Sequence, residues 1–171
     1  GLRGHKVLVV SKLDFIPGGS KAICFSKRSL DILDRLGVGQ ELLQKGVIWN
    51  VGKVFWGDRQ EPVYQFDMLP VKDQQYPGFI NLQQYYVEDA LLRAVQRLPN
   101  VELRLGQQIE AVRNLPGHAE LDISAGDTRY QLNTDWLIPC DGNKSTVSNL
   151  MGLDFDGRVF EENFLIADIR M

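Results

Sequence analysis

Three short segments of this sequence combine side chains and backbone in ways that can do chemistry. Asp141-Gly142-Asn143-Lys144-Ser145 follows an apolar run and precedes a predicted helix over residues 147–150. A strand, a tight glycine turn and a helix start present backbone N–H groups to an anion or a sugar hydroxyl. The Asp141 carboxylate would stand at the carboxyl end of that strand, where open α/β sheets bind ligands. The plain alternative is an Asp-Gly turn with Ser145 as a helix cap. Gln84 and Glu88, four residues apart, share one helix face. There the Gln84 amide can address a ligand while Glu88 secures the neighbouring loop, or the pair is only a solvated polar face. Ser20-Lys21-Ala22 follows Gly18-Gly19 in a loop that leads into a helix. A cation in that place can hold a phosphate, or be one more surface lysine.

The elements that must position these residues read as mixed α and β. Residues 7–10, an apolar run after a glycine turn, have the pattern of a buried parallel strand. Ser26 caps a predicted helix whose Leu30, Leu33 and Leu36 keep a helical spacing, and Gly37 stops it. A short helix over 40–45 ends at Gly46, and residues 51–56 and 63–66 form an antiparallel pair. The clearest helix runs from about Gln84 to Arg97, with Val87, Leu91, Ala94 and Leu98 on one stripe and Pro99-Asn100 after it. Strand patterns follow at 101–105, 109–112, 119–124 and 128–132, as in a small meander. Residues 136–140 have the pattern of another buried strand, running straight into Asp141, and residues 164–171 of a last one.

Composition excludes several classes. The 171 residues suit about one domain, and 44% hydrophobic with 24% charged residues permits a packed core. No apolar run is long enough to span a membrane, and no secretory signal is visible. A net charge of −3 with scattered charges leaves no footprint for nucleic acid or anionic lipid. Cys24 and Cys140 lack CxxC spacing and read as reduced, buried residues of a cytoplasmic protein. Two histidines give no metal site, and no nucleophile stands with a base at motif spacing. The abrupt apolar strands at both ends suggest an internal segment, whose unpaired sheet edge favours poor folding or self-association.

Taken together and in order, the segments resemble a family. Residues 19–30, GSKAICFSKRSL, are similar to the loop and helix after the second strand of flavin-dependent aromatic hydroxylases, the group A monooxygenases related to p-hydroxybenzoate hydroxylase. Residues 79–88, FINLQQYYVE, resemble their Gln-x-x-x-Glu helix start, and residues 140–145, CDGNKS, with 151–155, MGLDF, their Asp-Gly segment. The resemblance implies an α/β fold: a partial glutathione-reductase-like FAD-binding domain with an inserted β-meander and the start of a mixed-sheet substrate domain. On this reading residues 1–49 and 81–153 belong to the FAD-binding domain, 50–80 lead toward the substrate domain and 154–171 begin it.

The same resemblance implies FAD as cofactor and NAD(P)H as transient electron donor. Oxygen then adds to the reduced flavin as a hydroperoxide, and one oxygen atom passes to a small aromatic substrate. The family's flavin-contacting Arg/Lys and Gln map onto Lys21, beside Ser20, and Gln84, and its Asp-Gly motif onto Asp141 and Gly142. No side chain is assigned as catalytic acid or base. Ser11 stands where an acidic residue is expected to bond the adenosine ribose, with Asp14 three residues later as a substitute; Ser148 replaces the usual Arg. No GxGxxG loop occurs in the sequence. These departures raise the alternative of a degenerate FAD-type fold that acts as a binding or scaffold module without catalysis. A plain NAD-binding Rossmann domain would leave the Gln84 and Asp-Gly segments unexplained.

Overall fold

The computed structural model describes residues 1–18, 22–68, 73–154, 156–158 and 160–163. Along the chain, β1 (Val7–Ser11) and β2 (Cys24–Ser26) precede α1 (Lys27–Arg35) and α2 (Gly39–Lys45). Four short strands follow, β3 (Val47–Ile48), β4 (Val51–Val54), β5 (Tyr64–Asp67) and β6 (Phe79–Asn81), and then α3 (Gln84–Gln96). The remainder holds β7 (Val101–Leu105), β8 (Gln107–Leu115), β9 (His118–Ala125), β10 (Thr128–Thr134) and α4 (Thr146–Leu150). The chain divides into two units, one of residues 1–7 and 16–101, the other of residues 8–15 and 102–171.

In the first unit the helices form where the caps predict. The Ser26 hydroxyl accepts the Ser29 N–H and starts α1. Gly37, at φ +82°, supplies the left-handed residue that lets the chain turn out of the helix. Leu30 and Leu33 of α1, Leu42 of α2, and Val87 and Ala90 of α3 meet Ile80 of β6 in one core. Strand β6 is the centre of a three-stranded antiparallel sheet, flanked by β2 and β3. Tyr76 is buried beside it; its hydroxyl donates to Asp34 at 2.6 Å and accepts from Gln40. Burial, reinforced by the Asp34 carboxylate, pushes this phenol up to about 12. Strands β4 and β5 pair antiparallel, as their alternation predicts.

In the second unit β1 pairs with β7, while β8, β9 and β10 form a three-stranded antiparallel sheet in sequence order. A bulge at Glu110 interrupts the β8–β9 register between Ile109 and Ala111. Among its described residues, Leu121 and Ile123 of β9 and Val147 of α4 are buried. The Arg113 guanidinium donates to Glu120 and Asp122 across the strands and holds the Asp122 carboxyl below the usual carboxylate range.

Several expectations are corrected. Residues 136–140 form no strand; Trp136 is 84% exposed and Ile138 78%. An apolar run signals burial only where a neighbouring strand accepts its backbone bonds, and the described strands pair elsewhere. Cys24 and Cys140 are free but exposed, the first on short strand β2 and the second in that unpaired run. Strand β1 is only part-buried, with Val9 exposed. The expected strand over 164–171 lies outside the described residues.

Candidate functional site

Helix α3 places its first residue against the loop it was expected to serve. Gln84 Oε1 accepts the Ala22 N–H at 3.2 Å, across 62 residues of sequence. Its Nε2 donates to Glu88 Oε1 at 2.5 Å, the i,i+4 contact that a helix face provides. Gln84 thus bonds the loop, and Glu88 fixes the Gln84 amide. The backbone prepares the encounter, because β2 and β6 are antiparallel neighbours and the Leu82 N–H donates to the Ile23 carbonyl at 2.7 Å. Ser20 and Lys21 lie outside the described residues; Ala22, bonded to Gln84, follows them directly. A cleft of about 320 Å³ lined by Ile16, Gly18, Tyr85, Tyr86 and Asp89 opens nearby in the chain, with Lys45 Nζ 4.0 Å from the Tyr86 ring.

The Asp-Gly segment belongs to the second unit and is ordered by its own hydrogen bonds. Asp141 Oδ1 accepts from the Ser145 hydroxyl at 2.6 Å, and Oδ2 from the Val147 N–H at 3.1 Å. Ser145 Oγ in turn accepts the Ser148 N–H and caps α4. The bond from Ser145, helped by backbone N–H groups, holds the Asp141 carboxyl below the usual carboxylate range against the opposing effect of burial. Gly142 sits at φ +84°, and nothing lies within 4 Å of where its side chain would begin. The cap reading of Ser145 and the turn reading of Asp-Gly both describe this geometry. An open backbone turn beside an anionic carboxylate is also what a hydroxyl-bearing ligand can approach.

Asp14, also in the second unit, is exposed in the loop after β1, beside the Gly106 turn whose N–H donates to the Leu13 carbonyl. Ser11 Oγ accepts the Leu13 N–H of the same loop. The structure thus joins Gln84, Glu88 and the residue after Lys21 in one unit, and places Asp141, Gly142 and Asp14 in the other. The Trp49 indole N–H donates to Asn81 Oδ1 at 2.8 Å, a pairing across 32 residues that leaves no local signal in the sequence. Among the described residues no group of three or more His, Cys, Asp or Glu could hold a metal, and no helix is long and apolar enough to cross a membrane.

Residues 1–170 match the family described as FAD binding domain. The chain belongs to that family. This FAD-binding domain is 26% identical over 170 residues to para-nitrophenol 4-monooxygenase of Pseudomonas sp. (strain WBC-3), covering 99% of this chain and 42% of that protein. It is 24% identical to the probable NADH-specific resorcinol 4-hydroxylase of Rhodococcus jostii (strain RHA1), covering 100% of this chain and 32% of the relative. Among solved structures it superposes on p-nitrophenol 4-monooxygenase from Pseudomonas putida DLL-E4 with a TM-score of 0.84 at 24% identity, over 93% of this chain and 40% of that one. The flavin-dependent monooxygenase PieE, solved with FAD and substrate, matches with a TM-score of 0.78 at 21% identity, over 88% and 28%. The fold is therefore the α/β FAD-binding fold of flavin monooxygenases. The chain spans less than half the length of these relatives.

Proposed function

We propose that this chain is part of an FAD- and NAD(P)H-dependent monooxygenase that hydroxylates a small phenolic or other aromatic substrate with molecular oxygen. The observation that carries the reading is the Gln84–Ala22 bond, which draws the Gln-x-x-x-Glu helix start against the loop of Lys21.

The residues present fit the cofactor by their remaining bonding capacity. Gln84 keeps a second amide N–H and a second lone pair, suited to the polar edge of a flavin ring. The Asp141 oxygens keep lone pairs for a sugar or ribityl hydroxyl, and the space above Gly142 admits close approach to the backbone. Lys21 would hold an anionic or carbonyl group, with Ser20 as a further polar contact, and Asp14 is our candidate for the adenosine ribose. Bound FAD, reduced by NAD(P)H, supplies the oxygen activation that no side chain can. The protein's own part is to position the two molecules and exclude water around them. We assign β8–β10 to a meander inserted in the FAD-binding domain, residues 50–80 to a lead toward the substrate domain, and residues 154–171 to its beginning.

The test is a visible absorption spectrum after mixing with FAD and desalting, followed by NAD(P)H oxidation assays with resorcinol. We expect a retained flavin band that Lys21→Ala and Asp141→Ala each weaken, and resorcinol-stimulated NAD(P)H oxidation with a hydroxylated product. A folded protein that remains colourless would instead support the non-catalytic fold; Asp141, with both oxygens engaged in its own turn, is the observation favouring that second reading.

A further inference from the structure

The Gln84 amide is held in one order by the two groups that touch it. The Ala22 N–H donates to Oε1 at 3.2 Å, and Nε2 donates to Glu88 Oε1 at 2.5 Å. Exchanging the two ends of the amide would set a donor against the Ala22 N–H and an oxygen against the Glu88 carboxylate, so both contacts would turn repulsive together. Backbone fixes the groups on both sides. Ala22 leads into β2 and Gln84 follows β6, which pair antiparallel, and the Leu82 N–H donates to the Ile23 carbonyl. Helix α3 sets Glu88 one turn beyond Gln84.

What remains for a ligand is unequal. Gln84 has one further N–H and one further lone pair, while the Glu88 carboxylate has several lone pairs and no proton to give. The pair is part-buried, and among the described residues no cation is bonded to Glu88. A phosphate brings only acceptors and negative charge, and would meet that carboxylate within a hydrogen bond of the amide it has to use. A neutral group with an N–H or O–H brings the donor that these lone pairs lack. The bond from Nε2 to an anion also makes Oε1 the better acceptor, because hydrogen bonds along one amide polarise each other.

From this we infer that the Gln84–Glu88 pair reads a neutral, donor-bearing part of the flavin, its ring imide N–H or a hydroxyl of its side chain, and keeps phosphate away from the first turn of α3. Glu88 is a positioning residue, acting through the Gln84 amide. The inference rests on the function proposed above and adds Glu88, with the sign of its charge, to the residues that select the cofactor.

The test titrates the chain with lumiflavin, riboflavin and FAD, which share the ring and add in turn the hydroxyls and the phosphates. Each Kd is read from flavin fluorescence, and urea midpoints are measured alongside. We expect Glu88→Ala to raise the riboflavin and FAD Kd by one common factor, about 3–10-fold. Glu88→Gln, which keeps an oxygen for Nε2 and the shape of the side chain, should raise both less than about threefold and leave the fold intact. A loss shared by lumiflavin assigns the ring imide, and a loss confined to riboflavin and FAD assigns a hydroxyl. A change confined to FAD, in either direction, overturns the inference, because the pair would then address the phosphates or the nucleotide end. Unchanged Kd values for all three probes in Glu88→Ala overturn it too, whatever the urea midpoint, and reduce Glu88 to a support of the helix. Both of these results leave the proposed function standing. A wild-type chain that binds none of the three overturns the proposed function, and this inference with it.

Discussion

Asp141, read in the sequence as a ligand contact, braces the turn that leads into α4, whose cap is Ser145. Both of its oxygens accept bonds from the turn that follows, and those bonds favour the ionised form. A carboxyl held low in the folded state stabilises above its ordinary value near ~3.9, and the contribution vanishes as pH falls through the lower folded value. Because Asp141 is exposed, Asp141→Asn should cost only about 0.5–1 kcal/mol at pH 7. Urea midpoints of the two proteins should converge as the pH falls below the carboxyl range; a gap that persists in acid would mean that charge is irrelevant to the turn. Tyr76 carries the opposite sign. Its phenol, pushed up to about 12 by burial and Asp34, leaves stability intact below the unfolded value near ~10 and withdraws about 2–3 kcal/mol as pH rises through the folded value. Tyr76→Phe should remove that alkaline loss. At pH 7 it should cost about 1–3 kcal/mol, since Asp34 and Gln40 lose their shared partner. Urea melts at neutral and alkaline pH check both statements, and equal alkaline losses in the two proteins would sink the assignment.

Elements were legible where their signals are local. Helix α1 has Ser26 before it and Gly37 after it, α2 ends at Gly46, and α3 is long enough to show its period. The β4–β5 pair and the strands from β7 to β10 alternate visibly. Strands β2, β3 and β6 were illegible because two or three residues cannot display a period, and their pairings cross long stretches of sequence. The error at residues 136–140 has the same origin, since an apolar run reports composition while a strand requires a partner. For the site, the types at Gln84, Glu88 and Asp141 were readable, whereas the bond to Ala22 depends on β2 lying against β6. That small sheet is anchored by Ile80, which is fully buried between Leu30 and the other core residues. Ile80→Ala should therefore cost about 2–5 kcal/mol and weaken FAD retention together with stability. Gln84→Ala should weaken FAD retention with little change in the urea midpoint, as its bond to Ala22 is exposed. Equal stability losses in both variants would mean that Gln84 supports the fold and not the cofactor.

At the scale of the molecule, apolar surface is the dominant fact about this chain. Trp136, Ile138, Trp56 and Phe160 are each more than three-quarters exposed. Large rings left in water are tolerated singly, but neighbouring ones promote association, because burial returns about 25 cal/mol for each Å² removed from solvent. Trp136 and Ile138 are two residues apart in a segment with no backbone partner in any described sheet, so they can move together onto another surface. Sedimentation velocity of the 171-residue chain should show a coefficient that rises with concentration. Replacing both residues by serine should reduce that rise, and the thermal midpoint should stay within the change produced by about 0.5 kcal/mol, since neither side chain packs in the core. Added FAD discriminates the cause. If association arises from the unpaired segment before Asp141, cofactor bound at that turn should order the segment and suppress the rise. If the exposed β4–β5 hairpin is responsible, FAD should leave the rise unchanged and Trp56→Ser should lower it. A chain that stays monomeric throughout the range would show that these apolar side chains are compatible with solution as they stand.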